Sequence, residues 1–434
     1  MDRSRGRGPT ERVSSDLVTH SRRVDASVFD TILHNADAPL AYWEAPDESR
    51  ILGAGSARVI KASGRDRFER LTRKVTAVCN RLTHDGPPGA RPRMVCGAAF
   101  MPGAIDERWR GFAPAWGLLP RHTVLSEDAD TWLTTITPHQ DNSVARLPSM
   151  APVSSAQPPG IVENRPIPAC SAWKQHATTI RDRIRDGPLE KVVLAHARDV
   201  TFSRPIDRVT LVDRLREENP DCYIVLVEPK PGTTFLAATP ERLISKRGTT
   251  IRTDALAGST CRGRDTPEDD RLAAALRTST KNGREHALVV DAITDTLDGI
   301  GASVHIGERQ ISRFESVQHL KTPIRATYDG SASVLSFVDR LHPTPAVGGT
   351  PCDRATATIQ EIEPFGRGWY AAPIGWIDRG GDGTFAIGIR SGVLHGGGGR
   401  LFAGAGIVAQ SDVAEEWEEC QLKYQPMLAA LDGS

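Results

Sequence analysis

The 434-residue sequence has no surplus of either charge: 54 Lys and Arg face 54 Asp and Glu, for a formal net charge of zero. Lacking a basic excess, it is not built to neutralise phosphates, which excludes a general nucleic-acid binder. No apolar run approaches the ~18 residues of a membrane-spanning helix, so no segment is expected to span a bilayer. The seven cysteines, at 79, 96, 170, 222, 261, 352 and 420, are scattered and include no Cys-x-x-Cys pair. They read as reduced thiols of a cytoplasmic protein, not as a disulfide framework or zinc ribbon. Hydrolase elbow, phosphate loop and His-Glu-x-x-His are all missing, as is any repeat of solenoid period. What the chain does have is 39% hydrophobic residues with 39 Gly and 30 Pro, the make-up of a loop-rich globular protein. Its length admits anything from one large domain to three of ~150 residues.

Residues 1–25 are Arg-rich, interspersed with acids and without an apolar core, and are expected to be a disordered tail. Residues 26–150 hold strand-like segments and the aromatic run Trp109, Phe112, Trp116, and read as scaffold. Six prolines between 148 and 168 mark a surface connection, placed at 151–168. Beyond it, Trp173, Ala177, Ile180 and Ile184 lie on one helical stripe, with Ser171 as a possible cap and Gly187-Pro188 as the stop. The runs KVVLAHARDVTF, CYIVLVEP and TTFLAAT follow as strands, the last two close enough to pair antiparallel. Val289, Ile293 and Leu297 give a second helix a core face, with Glu285 one turn earlier. A closing helix begins near Val413, with Trp417, Tyr424 and Leu428 on one stripe and Glu416, Glu419 and Lys423 on another; Pro426 should end or kink it.

Taken singly, the polar residues of this region have ordinary explanations. Lys191 opens an apolar strand, where a solvated strand-end lysine is the default, and Glu241 in Ala-Thr-Pro-Glu-Arg reads as a turn residue paired with Arg242. Glu285-His286 reads as a polar helix face, and Glu419 with Lys423 as a helix-surface ion pair worth ~0.3 to 0.5 kcal/mol. Gly404-Ala-Gly406-Ile-Val-Ala409 fits a dinucleotide fingerprint, but β-branched residues follow it late in the chain where a helix should open, so a nucleotide site is rejected. Gly396 to Gly399 is a hairpin turn.

In combination the motifs say more. LEKVVLAHA at Lys191, ATPERLI at Glu241, ALAGS ending at Ser259, KNGREHALVVD at Glu285, SVQHLKTPI at His319, LHPTPAVGGTP at Pro345, GWYAAPIGW at Tyr370, AIGIRSG at Arg390 and AGAGIVAQSDVAEEWEECQLK at Lys423 follow in one order. This resembles the chorismate-utilising enzymes, a family comprising isochorismate synthases, salicylate synthases and the large subunits of anthranilate and aminodeoxychorismate synthases. The resemblance covers residues 169–431, which it makes the chorismate-binding catalytic region; upstream only WRGFAPA matches. It implies an α+β fold with antiparallel β-sheets packed at the centre and helices on the outside, as in anthranilate synthase component I.

For the site, the resemblance implies one Mg²⁺ between Glu285 and Glu419, holding the ring carboxylate of chorismate, an assignment that suits a hard cation keeping its waters. Gly258, Ser259 and Lys423 would share that end. Arg390, Tyr370 and the backbone near Gly404 and Gly406 would hold the second carboxylate, and His319 would help position the ring. By the same resemblance Lys191 is the general base for water and Glu241 the general acid for the departing hydroxyl, roles that need a lowered lysine and a raised glutamate pKa. Amine-transferring members carry glutamine at the lysine position, so lysine points to water. None of the cysteines has Gly-x-Cys-x-Gly flanks, so no glutaminase is fused and no obligate glutaminase partner is expected. Departures from the pattern are Asn282 in place of an acid, Ser259 for threonine, Thr239 for serine, and Gln410 for a small residue. The expectation is a monomeric, cytoplasmic isochorismate synthase, with menaquinone as the favoured destination. Salicylate synthase for siderophores, anthranilate-type activity and a catalytically silent chorismate-binding protein are its rivals.

Overall fold

The computed structural model describes residues 17–47, 49–84, 86–103, 106–127, 130–138 and 157–432. Among them two large sheets, of thirteen and ten strands, form the centre of an α+β architecture. Every strand pairing is antiparallel except that of Leu17–Arg23 with Leu82–His84. Both sheets mix early and late chain: Leu40–Glu44 pairs with Tyr223–Lys230 in the larger sheet, and Arg93–Ala98 with Pro373–Asp378 in the smaller. The N-terminal scaffold is thus woven into the same layers as the later region. Trp109 and Trp116 are fully buried, with Phe112 close behind. No helix among the described residues is long and apolar enough to cross a membrane.

Two expectations need correction. Of the tail expected at 1–25, residues 1–16 lie outside the described residues, but Leu17–Arg23 is a strand. It buries Leu17 and Thr19 on one face, and its backbone groups pair along Asp130–Pro138. Of the connection expected at 151–168, residues 151–156 lie outside the described residues, while Ile161–Ile167 is an edge strand on Lys191–Phe202. An edge tolerates Pro166 and this strand's exposed side chains, which is why the proline content reads as loop in the sequence.

The helix Cys170–Asp186 buries Trp173, Ala177, Ile180 and Ile184 as the spacing predicts, and Gly187 ends it. Its N-cap is Ala169, without a side-chain cap; Ser171 falls inside the first turn. Thr280–Asp298 buries Val289, Ile293 and Leu297, and Ser279 caps it by accepting from the Asn282 N–H. Val413–Lys423 stops before Tyr424, and a new helix, Gln425–Asp432, takes Pro426 in its first turn, where no N–H is needed. The glycine-rich stretch forms the hairpin Ser391–His395 and Gly398–Ile407, so the dinucleotide-like glycines lie mid-strand.

The strand Lys191–Phe202 pairs along nearly its whole length with Gly398–Ile407. On its other side, Gly349–Thr350 covers only Lys191 and Val192, and Ile161–Ile167 begins at Ala197. Side chains close the gap. Glu363 accepts from the Ala195 N–H at 2.8 Å, Arg367 donates to the Val193 carbonyl at 2.7 Å, and the Trp173 indole donates to the Ala195 carbonyl at 3.2 Å. Glu363 and Arg367 also pair with each other through two bonds, both almost fully buried. Removing one partner of such a pair strands the other charge in a low-dielectric interior. Glu363→Gln is therefore expected to lower stability by about 3–5 kcal/mol, read from the midpoint shift in urea unfolding; a shift below a tenth of that would show that the gap does not depend on the pair.

Candidate active site

One cavity, of about 660 Å³ including the part open to solvent, gathers eleven of the twelve residues singled out in the sequence: Glu241, Gly258, Ser259, Glu285, His319, Tyr370, Arg390, Gly404, Gly406, Glu419 and Lys423. The twelfth, Lys191, stands just behind the wall, its Nζ 2.9 Å from Glu285 Oε1. The cavity forms where the chain passes between the sheets. Glu241 lies between Thr233–Thr239 of the larger sheet and Arg242–Arg247 of the smaller, and Arg390 lies on the return from Gly383–Ile387 to Ser391–His395. Arg390 and the lining residue Ala371 have φ of +47° and +59°, left-handed values that L residues adopt at a cost.

The ordinary explanations of the polar residues fail one by one. Lys191 is 1% exposed rather than solvated. Arg242 pairs with Asp254 at 2.6 Å, which leaves Glu241 facing the cavity. Glu419 and Lys423 do pair, at 2.6 Å, but both line the cavity, and Lys423 also donates to the Gly404 carbonyl at 2.9 Å. His286 is a structural residue: it is buried and hydrogen-bonded to the Ala257 carbonyl and the Thr322 hydroxyl.

Glycine has an evident reason at two places. Gly258 has φ +76° at a bulge in Thr250–Cys261, close against Asn282. At Gly406 a Cβ would stand 2.5 Å from Glu285 Oε1 and 2.9 Å from Lys191 Cε, so a side chain there would push those two side-chain ends aside. Gly406 therefore sits with Lys191 and Glu285, while Gly404 lies beside the Tyr370 hydroxyl.

Arg390 donates to His319 Nε2 at 3.0 Å. Because a guanidinium only donates, Nε2 accepts, and neutral His319 carries its proton on Nδ1, 3.0 Å from Ser259 Oγ. Burial, with Arg390 and Lys423 nearby, holds the His319 imidazole well below its ordinary pKa, consistent with the neutral form. Arg390 lines one end of the cavity; its Nη1 is buried, and the guanidinium also has the Cys222 thiol as a neighbour. Carboxyl groups are split by environment. Burial pushes Glu241 up to about 7, despite the opposing pull of Lys191, Lys423 and Arg390. Burial also works to raise Glu419, but Lys423, Lys281 and a hydrogen bond with Ser259 hold it below the usual range.

Glu285 and Glu419 come from facing helices and line the same space. No group of three or more His, Cys, Asp or Glu side chains able to hold a metal occurs among the described residues. Two carboxylates are a sparse all-oxygen donor set, suited to a hard cation that completes its shell with water and ligand oxygens. The sequence reading missed the Lys281–Glu416 pair, at 2.5 Å, that backs this end. Burial, Glu419 and Glu285 push Glu416 up to about 7, so this end is crowded with negative charge. The signal was present in the spacings Glu416 to Glu419 and Lys281 to Glu285, three and four residues along two helices.

A family model described as chorismate binding enzyme matches residues 7–432. Isochorismate synthase MenF of Bacillus subtilis is 41% identical over 262 residues, covering 60% of this chain but only 55% of that protein's length. The salicylate biosynthesis isochorismate synthase of Pseudomonas aeruginosa is 34% identical over 418 residues, 91% of this chain and 85% of the relative. The solved structure of the menaquinone-specific isochorismate synthase MenF of Escherichia coli superposes with a TM-score of 0.81 at 25% identity, covering 96% of this chain and 95% of that one.

Glu241 generates a stability prediction. In the folded chain its carboxyl keeps a proton up to about 7, whereas an unfolded chain releases it near the ordinary 4.5. The folded state binds the extra proton, so this group's contribution falls as pH rises through that window and is level below it. Glu241→Gln removes the dependence. Between about pH 4 and pH 8 the variant is expected to gain on the parent protein by roughly 3 kcal/mol in urea unfolding, and a pH-independent difference would refute the buried, proton-holding carboxyl.

Proposed function

Because the chain belongs to the chorismate binding enzymes, we propose that it is an isochorismate synthase, an isomerase that adds water at C2 of chorismate and releases the C4 hydroxyl. The observation that carries this reading is the pairing, around one cavity, of a buried amine at Lys191 with a carboxyl at Glu241 that burial pushes to about 7. Two groups that must act in opposite senses, one taking and one giving a proton, are kept in different environments.

Chorismate carries two carboxylates. The ring carboxylate is assigned to the end formed by Glu285, Glu419, Ser259, Gly258 and Lys423. Glu285 and Glu419 would hold Mg²⁺ there, and the ion would supply charge neutralisation and orient the ring carboxylate. The enolpyruvyl carboxylate is assigned to Arg390, the Tyr370 hydroxyl and the backbone at Gly404. His319 holds Arg390 from behind and so positions that end. With both ends held, Lys191 removes a proton from the water adding at C2, and Glu241 gives its proton to the hydroxyl leaving C4 as the ring double bond shifts.

The relatives named above support isochorismate as the product. Menaquinone synthesis is the destination we favour, from the 41% identity with MenF of Bacillus subtilis. The Pseudomonas relative of salicylate biosynthesis aligns over far more of the chain, which supports a siderophore precursor as the second reading. Purified protein given chorismate and Mg²⁺ is expected to yield isochorismate without salicylate or pyruvate by chromatography; stoichiometric salicylate and pyruvate would move the assignment to salicylate synthase. Lys191→Ala is expected to lower kcat by about 10³-fold or more while chorismate still binds by calorimetry. Near-normal turnover in that variant would remove Lys191 from the role of base.

A further inference from the structure

Behind the Lys191–Glu285 pair lies a second cavity, of about 700 Å³ including its open part. Its walls are Gly187 after the helix Cys170–Asp186, Glu190 leading into the strand of Lys191, Leu288 of Thr280–Asp298, and Gln410 in the loop after Gly398–Ile407. Among the described residues, Glu285 alone lines both cavities. The far wall is braced, because Arg185 donates to the Ala409 carbonyl at 2.9 Å and Ser411 Oγ accepts from the Val408 N–H at 3.0 Å.

We infer that this outer cavity is the water port of the reaction, the route by which water reaches Lys191 while the substrate occupies the inner cavity. The inference rests on the isochorismate synthase reading. Each turnover forms a bond from a water oxygen to C2, with that water's proton passing to Lys191 Nζ. It breaks the bond from C4 to its hydroxyl, which leaves as water with the proton of Glu241; the double bond shifts, nothing is oxidised or reduced, and the two protons re-equilibrate through solvent. One water must therefore arrive beside Lys191 and one must leave. A substrate held by both carboxylates obstructs the inner cavity, and Lys191 itself is 1% exposed. Glu285, reaching both spaces and lying 2.9 Å from Lys191 Nζ, is the polar step between them. Glu190, Lys281, Arg284 and Gln410 add polar groups to an otherwise apolar wall, the two to four partners that a water needs.

The test narrows the port from opposite walls, with Leu288→Trp and, separately, Gln410→Trp, each checked for folding by circular dichroism. Neither residue belongs to the inner cavity. Turnover is run in ¹⁸O-labelled water and the new hydroxyl of isochorismate is assayed by mass spectrometry at early conversion. The unmodified protein is expected to give product carrying solvent oxygen. A folded plugged variant is expected to show kcat lowered about tenfold, KM for chorismate changed less than about twofold, and a smaller share of solvent oxygen, because the departing water is recaptured. Unchanged kcat and label in folded variants would overturn the inference alone. So would a raised KM at constant kcat, which would make the cavity the substrate's own way in. If the unmodified protein makes no isochorismate, the functional reading falls and the water port with it.

Discussion

The strand that carries Lys191 has one continuous neighbour and an interrupted one, and the geometry of the cavity follows from how that interruption is closed. Backbone groups of Val193 and Ala195 would otherwise face a gap between Gly349–Thr350 and Ile161–Ile167. Glu363 and Arg367 satisfy them with a buried ion pair, and Arg367 goes on to donate to the Val347 carbonyl at 2.9 Å while its guanidinium lies 5.8 Å from the Tyr370 ring. One fully buried cation thus ties together the lysine strand, the turn at Val347 and the tyrosine segment, three walls of the cavity. A buried pair of this kind is not a rich source of net stability, because desolvation offsets most of its attraction. Its effect is to fix relative position, since any movement of one wall would leave a polar group unpaired.

The neutrality of the whole chain conceals a local concentration of charge. Lys191, Lys281, Lys423 and Arg390 stand near Glu241, Glu285, Glu416 and Glu419, and most have little access to water. Contact separates the carboxyls. Glu419, paired with Lys423, is held low, whereas Glu241 forms no ion pair among the described residues and burial outweighs the pull of Lys191, Lys423 and Arg390. The same cavity therefore favours the anion at one carboxyl and the protonated form at another, without any change of residue type. Gly406 leaves room on the lysine side of this arrangement, where a Cβ would crowd the ends of Lys191 and Glu285.

Much of this was legible in the sequence, and the failures share a cause. Helix stripes such as Trp173, Ala177, Ile180 and Ile184, and the apolar strands, were readable because each buries a periodic face. The edge strand Ile161–Ile167 was not, because its neighbours satisfy the backbone while its side chains stay polar and exposed. Leu17–Arg23 was hidden because its pairing partners lie far away in sequence, at Leu82–His84 and Asp130–Pro138. At the site the motif order singled out residues that the fold gathers around one cavity, but gave no sign of their burial. Residue by residue, Lys191, Glu241 and Lys423 look like surface groups, since a local reading cannot see two sheets closing over them. The Glu363–Arg367 pair gave no sign of its task for the same reason: the gap it fills is created by strands far away in sequence.

The hydrogen-bond polarity across the cavity follows from a single donor that can only donate. Arg390 fixes His319 Nε2 as acceptor, so Nδ1–H donates to Ser259 Oγ, and the Ser259 hydroxyl hydrogen is left to point at Glu419. The chain runs in one direction, from the guanidinium at one end to the anionic carboxylate at the other. Reversing it would require a proton on His319 Nε2 facing the guanidinium, which burial and the adjacent positive charge oppose. Arg390 is held at φ +47° to begin that chain, in a conformation that costs about 1–3 kcal/mol for a residue with a side chain. The return from one sheet to the other is made at this residue, so the strain is placed where it aims the guanidinium, with Nη2 at His319. A lysine there would carry the charge but not the planar fork that lets one nitrogen hold His319 while the rest of the guanidinium stays on the cavity wall.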